Sequence, residues 1–90
     1  MRLDQFLRAS RLVLRRTVAQ ELCEAGAVLV NGGLARSSRA VRAGDEITLA
    51  RRARRLTVRV LEVPSARQTS KHEAATLYEV IRDERRPENE

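Results

Sequence analysis

The stretch VLVNGGLARSSRAVRAGDEI, Val28 to Ile47, decides how this chain folds. Val28 and Val30 alternate with Leu29 before Asn31-Gly32, a pair that tolerates the positive φ of a two-residue turn. Leu34 and Ala35 then read as a brief return strand. Gly44-Asp45 makes a second turn, and Ile47 and Leu49 open the next strand. Between the turns lie Arg36, Arg39 and Arg42, with Ser37 and Ser38 among them. A solvated connection does not need so many guanidinium groups, whereas a surface that holds an anion does.

Upstream of this stretch the period is helical. Leu3, Phe6 and Leu7 line one edge of a short helix, and Asp4 sits in its opening turn, where a carboxylate faces unpaired N–H groups. In TVAQELCEAG, Thr17 and Gln20 have the spacing of a capping box. Val18, Ala19, Leu22 and Cys23 share a side, and Gly26 supplies a left-handed stop.

Downstream, RRARR from Arg51 to Arg55 reads as an exposed connection, and Leu56, Val58 and Val60 mark the clearest strand. Pro64 closes it, and SARQTS reads as a loop. Ser70 and Glu73 form a second capping-box pair. Ala74, Leu77, Tyr78 and Ile81 then recur at helical spacing, which predicts a helix from about Lys71 to Glu84, with RRPENE frayed beyond it. The expected class is α+β: two short N-terminal helices packed on a small, mostly antiparallel sheet, with a C-terminal helix. The expected division is a binding domain over residues 1–63 and a loop, helix and acidic tail over 64–90.

The charge is uneven. The chain carries a net +6, and all but one of its basic residues are arginine. Met1 to Arg59 holds a net +8 and the remainder a net −2, which argues for one basic working face. Arginine offers a planar fork of donors matched to phosphate oxygens. Catalysis has little to build on. His72, the single histidine, falls at a solvent-facing helical position, and Cys23 lies in an apolar pattern that favours burial. Asp45 and Glu46 are neighbours on a strand and so point to opposite faces. No cofactor and no metal ligand set is expected, no membrane span is present in the pattern, and cytoplasm is the expected compartment.

Three basic clusters remain: Arg2, Arg8, Arg11, Arg15 and Arg16; then Arg36, Arg39 and Arg42; then Arg51, Arg52, Arg54 and Arg55. The first two can converge, with Ser37, Ser38, Asn31 and the N–H groups at the start of the second helix as added donors. Phe6 and Tyr78 are the only aromatics, and both lie in apolar patterns. Base-by-base reading of single strands ordinarily uses several exposed rings, so recognition of a folded RNA by its backbone fits better.

The motifs RLDQFL, Arg11, RRTVAQEL, AGAVLVNG and VRAGDEI, in this order, resemble the alpha-L RNA-binding domain, over Met1 to about Val60. The resemblance implies that two leading helices pack on a bent sheet and that their basic edge meets structured RNA. It implies RNA contacts at Arg2, Arg11, Arg16, Arg36 and Ser38, with Arg15 and Arg39 nearby. Arg8, Arg42, Arg51, Arg52, Arg54 and Arg55 are possible additional contacts. Leu3, Asp4, Leu7, Ala19, Leu22, Gly26, Val30, Gly32, Gly44 and Asp45 match scaffold positions. Leu14 departs from a frequent lysine, and Ala43 from a frequent proline.

The chain's length and its ending EAATLYEVI resemble small bacterial ribosome-associated quality-control factors and, less closely, proteins akin to heat-shock protein 15. That likeness implies binding to obstructed large ribosomal subunits through large-subunit ribosomal RNA and peptidyl-tRNA. It also implies functional cooperation with a factor that tails the stalled nascent chain, without catalysis by this protein itself. The alternatives are recycling of obstructed subunits in the heat-shock manner, or a part in ribosome assembly.

Overall fold

A computed structural model describes residues 1–65 and 69–85. Helix α1 (Leu3–Ala9) and helix α2 (Arg16–Glu24) precede strands β1 (Val28–Val30), β2 (Gly33–Leu34), β3 (Glu46–Arg51) and β4 (Arg54–Val60). A short helix α3 (Lys71–Ala75) and strand β5 (Tyr78–Arg85) follow. The strands form one antiparallel sheet in the order β2-β1-β3-β4-β5. This is the α+β arrangement expected from the sequence.

The apolar spacing of α1 is realised in full. Leu3, Phe6 and Leu7 are completely buried and share one cluster with Val28, Ile47, Val58 and Val60 from the sheet. Alternation along β4 puts Leu56, Val58 and Val60 on this inner face and leaves Thr57 and Arg59 only partly covered on the other. On α2 the covered side carries Ala19 and Cys23, with Val18 and Leu22 packed at its margin. The helix stops at Gly26, whose φ of +72 is a conformation that L side chains avoid.

The hairpin of β1 and β2 turns on Asn31 and Gly32, both at positive φ (51 and 84), with Val30 opposite Gly33. That is the primed turn whose twist matches the flanking strands. Asn31 also fastens the turn to β3: its Oδ1 accepts from the backbone N of Glu46 at 2.9 Å, and its Nδ2 donates to Asp45 at 3.1 Å.

Three local expectations are corrected. Thr17 does not cap α2; the N-cap position is Arg15, without a side-chain hydrogen bond, and Gln20 is turned elsewhere. Arg51 to Arg55 is largely exposed, as expected, but it is a tight hairpin instead of a loose connection, with Arg51 paired to Arg54 across a two-residue turn. The C-terminal helix exists and carries the expected box, Ser70 Oγ accepting from the N of Glu73, but it ends at Ala75.

Tyr78 to Arg85 is strand instead of helix, because the free edge of β4 offers hydrogen-bond partners along its whole length. Tyr78, Val80 and Ile81 are residues that favour strand. Ala74 and Leu77 are buried as a helical stripe would have them, whereas Ile81 is 42% exposed and sits at a register shift. Arg85, the first residue of the RRPENE stretch expected to fray, closes β5; residues 86–90 lie outside the described residues, as do residues 66–68 of the expected loop.

Candidate nucleic-acid interface

Asp4 organises the basic side of the molecule. It is wholly buried in the first turn of α1, and one oxygen accepts from the backbone N of Gln5 at 2.9 Å. The same oxygen takes Arg2 Nε at 3.2 Å, and the other takes Arg16 Nε at 3.1 Å and Gln20 Nε2 at 2.9 Å. Burial by itself would raise this carboxyl's pKa, but the hydrogen bonds from Gln20 and Arg16 and the charges of Arg16 and Arg2 outweigh it. The group is therefore held below its ordinary value and stays ionised.

The guanidinium carriers are different. The side chains of Arg2 and Arg16 remain 44% and 42% exposed, so each is aimed by a buried anion while part of its donor fork still faces solvent. The capping residue expected at Gln20 is thus a strut for this arrangement.

The second basic cluster is brought to the same end of α1 by backbone bonds. Leu3 N donates to Arg39 O at 2.8 Å, Asp4 N to Ser37 O at 3.1 Å, and Val41 N to Met1 O at 2.9 Å. Arg2 and Ala40 form an isolated antiparallel bridge. Arg39 N closes a turn on Arg36 O at 3.0 Å, and Arg36, Ser38 and Arg39 are all exposed. Arg2, Arg16, Arg36, Ser38 and Arg39 therefore gather around the start of α1.

Arg15 is exposed at the cap of α2, next to Arg16. Arg11, held at a φ of +61, points its guanidinium to the C-terminal segment, where Nη2 donates to Thr69 O at 3.2 Å. Thr69 in turn donates its hydroxyl to Ala9 O at 2.6 Å. Arg8 is half-buried in the last turn of α1, and Arg42 is exposed beside the Gly44-Asp45 turn.

The third cluster stays apart from this group. Arg51, Arg52, Arg54 and Arg55 edge a cavity of about 240 Å³ at the β3–β4 hairpin, together with Glu84 of β5. Arg54 makes a two-pronged pair with Asp83, at 3.0 Å from both Nε and Nη2. Sequence reasoning assigned Asp4 to the opening turn and scaffold and Gln20 to a capping box, and missed that together they position the arginines. A carboxylate three residues into the chain, with arginines twelve and two positions away, is a signal that only folding makes legible.

Residues 1–47 match the family model of the S4 domain. The chain is 44% identical over 84 residues to the RQC P-site tRNA stabilizing factor of Halalkalibacterium halodurans, covering 93% of each. It is 41% identical over 85 residues to the factor of that name from Bacillus subtilis, covering 94% of this chain and 96% of the relative. Among solved structures, trimeric heat shock protein 15 of Vibrio cholerae superposes with a TM-score of 0.81 at 32% identity, over 89% of this chain and 80% of that one.

Proposed function

The chain belongs to the S4 domain family, and from that premise we propose that it binds the folded RNA of obstructed large ribosomal subunits, meeting both ribosomal RNA and peptidyl-tRNA. In this reading it acts in ribosome-associated quality control, in the cytoplasm, as a binding factor and not as a catalyst. It holds the transfer RNA while a separate factor tails the stalled nascent chain. The likeness to relatives named RQC P-site tRNA stabilizing factor supports this reading.

The observation that carries it is the gathering of Arg2 and Arg16 on buried Asp4, with the Arg36–Arg39 turn docked beside them. Arg2, Arg11, Arg15, Arg16, Arg36, Ser38 and Arg39 are the contacts, addressed to phosphate and ribose oxygens. A clamp that touches two RNAs favours the transfer RNA position in which its contacts to both are best satisfied, and stabilises that position by the difference in contact free energy.

The test is Arg16→Ala. Association with obstructed large subunits should weaken about tenfold, and the slope of affinity against salt should fall by about one, as one phosphate contact is lost. Unchanged co-sedimentation at physiological salt, with the fold intact, would remove Arg16 from the interface. A second reading, recycling of obstructed subunits, is favoured by the superposition on heat shock protein 15. Deleting the gene separates the two: loss of tails on stalled chains supports the first, and accumulation of obstructed subunits with normal tailing supports the second.

A further inference from the structure

The two faces of the sheet differ in electrostatics. The inner face carries the buried apolar side chains of β1, β3 and β4, which share one cluster with α1 and α2. On the outer face the register sets Arg59 opposite both Glu46 and Glu79, and Arg55 opposite Ala50 and Glu84. Residues directly opposite in an antiparallel pair project to one side, so Glu46, Arg59 and Glu79 form one row across three strands. Thr48, Thr57 and Arg82 form the next row, and Ala50, Arg55 and Glu84 the third.

The first row is closed by ion pairs: Arg59 Nη1 to Glu79 at 3.1 Å and Arg59 Nη2 to Glu46 at 3.3 Å. In the middle row the Thr48 and Thr57 hydroxyls are bonded to each other at 3.0 Å. Three arginines therefore face three glutamates across this surface, and their charges cancel. Met1 to Arg59 alone carries an excess of +8, and β5, which lies outside that segment, supplies two of the three glutamates.

We infer that Glu46, Glu79 and Glu84 are specificity determinants that keep RNA off the outer face of the sheet and confine it to the Asp4-centred surface. The inference rests on the RNA-binding reading above. An arginine-rich sheet without these carboxylates is a generic polyphosphate binder, able to hold any RNA in an orientation that leaves Arg2 and Arg16 unused. With them, Arg59 is held between two carboxylates and Arg55 has Glu84 as its cross-strand neighbour, so an approaching phosphate meets negative charge in the first and third rows. Asp83 does the same at the hairpin by occupying both prongs of Arg54.

The experiment compares the unaltered protein with Glu46→Gln/Glu79→Gln/Glu84→Gln, using obstructed large subunits and an unrelated RNA duplex as probes over a range of salt. The triple variant removes three negative charges. Its salt slope on the unrelated duplex should steepen by about 2 to 3, its affinity there should rise at least tenfold at low salt, and its preference for obstructed subunits should fall. Unchanged slope and affinity on the duplex, with the fold intact, overturn the inference. Glu84→Gln provides the variant that is safest for folding, since the described residues give Glu84 no ion pair; it should steepen the slope by about one, and no change there counts against the inference. Failure of the unaltered protein to bind obstructed subunits sinks the underlying reading instead, so the two failures are told apart.

Discussion

Replacing Asp4 with alanine tests the organisation of the basic face most directly. The carboxylate is fully buried and accepts from Gln5 N, Gln20 Nε2, Arg16 Nε and Arg2 Nε at 2.9 to 3.2 Å. Removing one partner of a buried ion pair costs about 3 to 5 kcal/mol when the other is trapped. Here the arginine side chains are 44% and 42% exposed and can turn to water, which lowers the penalty. The amide of Gln20 and the N–H of Gln5 lose their acceptor as well, at about 1 kcal/mol each.

A loss of about 2 to 3 kcal/mol follows, which for a domain of this size is a fall in Tm of about 10 to 20 °C. The sign with pH is fixed by the direction of the shift. The folded carboxyl titrates below its unfolded counterpart, so its contribution is complete above about pH 4. That contribution is lost as pH falls through the lowered folded value, and the gap between parent and variant should close there. Thermal unfolding followed by circular dichroism from pH 7 to pH 2.5 measures this. A variant that melts within about 2 °C of the parent at pH 7, or a gap that widens in acid, refutes the argument.

Other consequences are simpler. Phe6→Ala empties the centre of the core, where the ring is fully buried, and should cost about 3 to 5 kcal/mol in urea unfolding; a smaller loss would mean that the helices collapse onto the sheet without it. Asn31→Ala removes both side-chain bonds that join the hairpin to Glu46 and Asp45, at positive φ, and should cost about 1 to 2 kcal/mol, read as faster amide exchange in β1 and β2.

Much of this architecture was readable before folding. The helical stripe of Leu3, Phe6 and Leu7, the Asn31-Gly32 turn, the alternation of β4 and the Ser70–Glu73 box are local patterns, and each appears where its residues put it. The strand β5 was not readable, because its apolar residues also fit a helix. What decides between the two is the open edge of β4 and the arginines on it, which lie about twenty to thirty positions earlier. The convergence of Arg2, Arg16 and the Arg36–Arg39 turn was anticipated from chain order, but its cause was not. Asp4 reads as a helix-end charge, and only the closed fold shows it as the buried acceptor shared by two guanidinium groups and an amide.

The tie between Thr69 and the end of α1 bears on how small a working binder can be made. Arg11 belongs to the helical part by sequence, yet the carbonyl that orients its guanidinium is 58 residues downstream, on a segment itself latched to Ala9. Trimming the chain at the close of β4 would keep every basic residue of the first two clusters and still leave this one without its guide. Aim, for Arg11, is a property of the whole chain.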